Sequence, residues 1–240
     1  MTSVGVLVCL VLGLGWSSLS YAAGNDDTGS QSEDRDLVKV RIHTESPEAE
    51  TGIFHLKKKI AIIEPPQGHV EILIRDSQLI ANKLIYDQSD DTAELIGDVA
   101  ITQKDSYAKA DNMRADFNRE IYILEGNVYF KQQETEGETT GATKLELWSG
   151  WMQVEDTGKR LLAKGQVRLI EADRRAWADE LEYDDEQETA ILIGDVRLET
   201  NDGNVLTGTK VVINLSTDEA VVYGPTYAEF VMESDSETSE

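Results

Sequence analysis

The sequence predicts an all-β fold, a repeat-built antiparallel meander of about 12–15 strands bent into an open trough. Three observations predict it. A glycine recurs within alternating apolar residues at Gly97, Gly126, Gly165, Gly194 and Gly224, spaced 29, 39, 29 and 30 residues apart. The first four are followed two positions later by Val99, Val128, Val167 and Val196, and all five are preceded by Leu95, Leu124, Ala163, Leu192 or Val222. Thirteen positions before each glycine stands Leu84, Met113, Met152, Leu181 or Val211, and sixteen before stands Ala81, Ala110, Ser149, Ala178 or Gly208. A period in this range marks stacked units, none of which buries its apolar face alone.

At the N-terminus, residues 1–22 carry no charged side chain, and Val4–Leu14 is an apolar run of eleven. That run is short for a membrane span of roughly 20 residues, and Ser20-Tyr21-Ala22 is a small-x-small site, so a cleaved secretory signal is expected. The other reading is an uncleaved inner-membrane anchor. Cys9, the single cysteine, lies inside this segment, which leaves the mature chain without thiol chemistry. Residues 23–36 form an acidic Gly/Ser-rich linker, the folded domain is expected over 37–232, and 233–240 is an acidic, Ser-rich tail.

Within the domain, Val38–His43, Phe54–Ile63 and Val70–Ile74 read as strands, the last two separated by a turn at Pro65-Pro66. Each repeat then reads as strand, turn, strand. In the fourth, Ala176–Tyr183 and Ala190–Leu198 flank the turn Asp184–Gln187; in the first, Asp87–Asp91 is the turn before Ala93–Ile101. Period-two alternation puts Ala190, Leu192, Val196 and Leu198 on one face. Mid-strand glycines at one register imply that every long strand bends at the same place. The positions sixteen and thirteen before each glycine differ by an odd number, so the alternation slips once, and a bulge on that first strand is expected. The 39-residue interval accommodates an insertion at Gln132–Gly141.

Net charge is −24; the linker and the C-terminal tail each contribute −4, leaving −16 on residues 37–230. Nucleic acid is excluded as a partner, because affinity for it comes from Lys and Arg neutralising phosphates. His43, His55 and His69 lack ligand spacing, so no metal site is expected, and there is no nucleophile elbow, phosphate loop or Cys/His pair. The chain is expected to be no enzyme and to need no cofactor. Lys57-Lys58-Lys59 reads either as a solvated strand edge that discourages aggregation or as a contact for lipid phosphates. Outward Ile123, Ile191, Ile193, Val221 and Tyr223 are apolar, which means either two sheets folded together or a surface that meets a partner.

The units Ala110-Asp111-Asn112-Met113 with Leu124-Glu125-Gly126-Asn127-Val128, and Ala178–Asp184 with Leu192-Ile193-Gly194-Asp195-Val196, resemble the OstA-like family of lipopolysaccharide-transport proteins. Its members include the soluble periplasmic bridge LptA, the membrane-anchored LptC and the N-terminal domain of LptD. The resemblance spans about residues 79–230 and rests on four good copies and a degenerate fifth, in which Thr226 replaces the valine. It implies a twisted antiparallel β-jellyroll in the periplasm whose apolar interior carries lipopolysaccharide acyl chains from inner to outer membrane. It also implies edge-to-edge strand addition with other β-jellyroll domains of the transport system, or a head-to-tail homo-oligomer.

The residues then expected to line the lipid groove are Leu84, Leu95, Val99, Met113, Leu124 and Val128, followed along the trough by Phe130, Met152, Val167, Leu181, Leu192 and Val196. Taken singly, each is better read as core. Collectively a groove is favoured, since a single bent sheet cannot fill its own interior. Each acyl CH₂ removed from water contributes about 0.8 kcal/mol. The competing readings are an interaction module of the same fold that carries no lipid, and an anchored LptC-like component.

Overall fold

The computed structural model describes residues 39–46, 48–74, 77–103, 105–133, 143–155 and 159–231. The expected signal, linker and tail, and residues 134–141 of the insertion, lie outside the described residues. Every regular element described is a β-strand. Six short strands come first: β1 (Lys39–Thr44), β2 (Gly52–His55), β3 (Ile60–Ile63), β4 (Gly68–Ile74), β5 (Ser77–Ala81) and β6 (Lys83–Asp87). The repeats supply eight long ones: β7 (Thr92–Thr102), β8 (Ser106–Asp116), β9 (Ile121–Gln133), β10 (Thr143–Glu155), β11 (Arg160–Glu171), β12 (Arg174–Asp184), β13 (Thr189–Thr200) and β14 (Val205–Asn214). Two short strands end the sheet, β15 (Glu219–Tyr223) and β16 (Tyr227–Glu229).

The strands form a single 16-stranded sheet, one strand beyond the expected range. The surplus has a local cause. Phe54–Ile63 is not one strand but the hairpin β2–β3, turned at residues 56–59, with Lys59 in the left-handed region at φ 56°. Lys57-Lys58-Lys59 therefore occupies a turn, not a strand edge, which corrects the sequence reading.

The sheet branches at both ends. β5 pairs with residues 100–102 of β7, whereas β6 pairs with residues 92–96 of the same strand. At the far end β15 pairs with residues 210–214 of β14 and β16 with residues 205–207. Each long strand thus contributes one half to each of two layers. The β1–β4–β5 branch extends the first layer, and the β2–β3–β6 branch extends the second.

The crossing from layer to layer occurs at the recurrent glycine. Gly97, Gly126, Gly165 and Gly194 have φ between 76° and 82°, and the next residue, Asp98, Asn127, Gln166 or Asp195, is also left-handed. The pair opposes one residue of the neighbouring strand: Gly97 and Asp98 fall between the Ile96↔Asn112 and Val99↔Ala110 pairs, against Asp111 alone. The extra residue lies on the glycine strand, so the bulge sits one strand away from where the alternation suggested. The slip in alternation on β8, between Ala110 and Met113, is its complement across the pair.

Stacking the layers buries one continuous apolar cluster. Tyr122, Leu124, Met152, Val154, Ala163 and Val211 are completely buried. Ile123, Ile191 and Ile193 are half-buried on the outside, while Val221 and Tyr223 are exposed at the last strands.

Candidate functional site

The inner face is built by alternation on strands held at fixed register. Leu95 lies across from Met113, Met113 from Leu124, Leu124 from Met152, and Leu181 from Leu192. On the other side of the bend, Val99 faces Ala110, Val167 faces Ala178, and Val196 faces Gly208. All twelve residues expected to line a groove are buried on this inner face, between 0% and 5% exposed. The structure does not place them in equivalent surroundings.

Leu84, Leu95 and Met113 border a cavity of about 360 Å³ between the layers at the N-terminal end. Ile42, Ile72 and Leu79 close it on one side and Phe54 and Ile63 on the other; Tyr86 and Gln88 are the polar residues among its lining. No charged side chain faces it. The Tyr86 hydroxyl donates to Asp91 at 3.3 Å, and burial with that carboxylate pushes its pKa up to about 12. The remaining nine, from Val99 to Val196, are sealed where the layers meet and border no described opening.

The five glycines share a constraint that sequence reading missed. Fifteen positions before each lies a companion opposite it: Asn82 between β5 and β6, and Asp111, Gly150, Asp179 or Thr209 on the adjacent strand. A Cβ on Gly126 would stand 2.7 Å from Asp111 Cγ, and one on Gly194 would stand 2.8 Å from Asp179 Cγ. Where the companion is Gly150, opposite Gly165, the nearest atom is 3.6 Å away. The companion also ties the bulge down: Asn127 Nδ2 donates to Asp111 at 2.9 Å, and Asn82 Nδ2 donates to Asp98 at 3.0 Å. The signal was present in the recurring Ala-Asp phrase, but its meaning requires the strand pairing.

Both terminal edges are exposed and apolar. β1 shows Val40 and Ile42, β2 shows Ile53 and Phe54, and the C-terminal end shows Tyr223, Tyr227 and Phe230. These edges leave backbone N–H and C=O groups unpaired, which suits strand addition. On the long side of the trough the layers are joined toward the C-terminus. Arg174, at the start of β12, reaches Asp218 of the β14–β15 turn at 2.8 Å and Glu171 at 3.2 Å. Burial holds the Glu171 carboxyl above its ordinary range despite Arg174.

Geometry of this kind defines a class: an open two-layered β-trough with an apolar interior and two exposed edges. Among the described residues no cluster of His, Cys, Asp and Glu could hold a metal. A model of the family described as LptA/(LptD N-terminal domain) LPS transport protein matches residues 48–146 and 78–219. The chain belongs to that family. No curated protein matches the sequence. Among solved structures, LptH from Pseudomonas aeruginosa, described as the LptA-homologous periplasmic component of the lipopolysaccharide transport device, is 14% identical. That match has a TM-score of 0.31 and covers 65% of this chain and 95% of the other. It adds nothing to the assignment.

Proposed function

We propose that this chain is an exported, periplasmic component of lipopolysaccharide transport that carries acyl chains in its apolar interior and docks edge to edge with other β-jellyroll domains. Family membership supports a transport role in place of catalysis. The observation that carries the lipid reading is the cavity at the N-terminal mouth. It lies between the layers, is lined almost wholly by aliphatic and aromatic carbon, and opens beside the exposed β1 and β2 edges. An acyl chain seated there exchanges water for carbon at about 0.8 kcal/mol per CH₂ without leaving a buried charge unpaired. Met113 at its floor has a flexible thioether that can adapt to chains of different shape. The groove then starts at Leu84, Leu95 and Met113, and reaching Leu124, Val128 or Leu192 requires the layers to part.

Phe54, 57% exposed and lining the cavity, is the best place to test this. A photo-reactive phenylalanine analogue there should capture lipopolysaccharide in cells, as should one at Leu84. The same probe at Glu94 or Asp195, on the outer surface, should capture little. Equal labelling at all four positions rules out the groove. An edge-binding module without lipid would show no capture anywhere.

A further inference from the structure

On the outer surface of the first layer, one residue from each of eight adjacent strands falls in a single cross-strand row. Lys109 of β8 lies opposite Tyr129 of β9, which lies opposite Trp148 of β10. The row continues through Arg168 of β11, Trp177 of β12 and Arg197 of β13. It ends at Thr207 of β14 and Tyr227 of β16. The residues on either side along each strand, such as Ala108, Val128, Leu147 and Ala176, are buried inward, so alternation turns this row outward. Cations and aromatic rings are interleaved along it. At about 4.8 Å per strand the row is roughly 34 Å long.

The side chains are organised as well as aligned. Tyr129 and Trp148 stand 5.2 Å apart, Arg168 lies over Trp148 at 5.0 Å, and Lys109 lies over Tyr129 at 5.5 Å. Tyr107, one step along β8, extends the ring cluster at 6.3 Å from Tyr129. The chain has 46 acidic residues against 22 basic ones. Arg197 is paired with Glu199, two positions along β13, whereas among the described residues neither Lys109 nor Arg168 has a carboxylate partner. Their positive charge is held against ring faces and stays available to an incoming anion.

We propose that this row binds a linear acidic polysaccharide, sugar faces stacking on the rings and carboxylates meeting the cations. Three features choose that occupant. Sugar rings present apolar C–H faces that match Tyr and Trp. A strand carrying charge on every second ring matches Arg168, which has no carboxylate partner among the described residues, and Arg197, two strands away across Trp177, whose exposed pairing with Glu199 an incoming carboxylate can exchange. Finally, twist of about 20° per strand turns the row through roughly 140° over its length, so a flexible chain can follow it while a flat membrane touches only two or three rungs.

The test uses the full chain and hyaluronan oligosaccharides, which carry a carboxylate on every second ring, followed by tryptophan fluorescence and calorimetry. Chitin oligosaccharides serve as the neutral counterpart and phosphatidylglycerol vesicles as the membrane. Hyaluronan oligosaccharides should bind, and chitin oligosaccharides at least about tenfold more weakly. Arg168→Gln with Arg197→Gln should weaken hyaluronan binding about tenfold or more, and Trp177→Ala about fivefold. Arg114→Gln, on the outside of the second layer, should leave it unchanged. All these positions lie on the outer surface, and rising salt should weaken binding to the unaltered chain independently of any variant. The proposal is overturned by three results: no hyaluronan binding, equal binding by the double variant, or vesicle binding that the double variant abolishes without any oligosaccharide binding.

Discussion

Replacing Gly126 with alanine tests the bend at the centre of this fold, and Gly165 is its internal control. Both glycines are left-handed, at φ 76° and 82°, and an alanine there costs about 1–2 kcal/mol in backbone strain. The two sites differ in what the new methyl meets. At Gly165 it finds Gly150 Cα at 3.6 Å, an ordinary contact, so strain is the whole cost. At Gly126 it would lie 2.7 Å from Asp111 Cγ and 2.9 Å from Asp111 Cβ, so the companion must move together with its backbone. Displacing it adds an overpacking penalty of about 1–3 kcal/mol and loses the hydrogen bonds from Asn127, at 2.9 and 3.2 Å. Gly165→Ala should therefore lower unfolding stability by about 1–2 kcal/mol, and Gly126→Ala by about 3–4 kcal/mol. Adding Asp111→Gly to Gly126→Ala should recover about the difference, because it recreates the Gly165 arrangement. Urea denaturation followed by far-ultraviolet circular dichroism measures all three. Equal losses for the two alanine variants, or no recovery in the double variant, would refute the steric account.

Three further outcomes follow from the same structure. Arg174→Ala strands the largely buried Glu171 carboxyl and releases Asp218, and should cost about 2 kcal/mol in urea; Arg174→Ala with Glu171→Gln should recover part of that loss, and a purely additive result would show that the two are uncoupled. Glu71, on the outside of β4, is held below the ordinary carboxylate range by hydrogen bonds from Gln78, His43 and Arg41. A depressed folded value means that its contribution is complete above the unfolded value near pH 4 and is lost as pH falls through the folded one, so Glu71→Gln should lower neutral stability and flatten the acid limb of stability below about pH 4 in urea titrations at stepped pH. Deleting residues 226–240 removes β16 with its exposed Tyr227, and Phe230 just after it, and should abolish self-association in light scattering while the β-sheet dichroism remains; unchanged association would assign assembly to another surface.

The sequence by itself determined the repeat, the bend and the inner face. Mid-strand glycine has few uses, so five at one register announce a shared backbone feature, and period-two alternation then states which side is apolar. Leu95, Val99, Leu124 and Val196 are buried because alternation is a local property of a strand, readable without knowing its neighbours. What tertiary structure decided is everything that depends on which residues stand opposite one another. Only pairing shows that the bulge lies on the glycine strand, and only pairing sets Asp111 against Gly126 and leaves Gly165 facing another glycine. The turn at residues 56–59 escaped notice because no Gly or Pro marks it, and Lys59 takes the left-handed conformation instead. The split of β7 between β5 and β6 likewise decided which apolar residues line an open cavity and which are sealed between layers. The outer row from Lys109 to Tyr227 gathers residues more than a hundred positions apart in sequence, brought into line by seven successive strand registers. Each register is fixed by hydrogen bonds and packing between strands, so no single stretch of sequence encodes it.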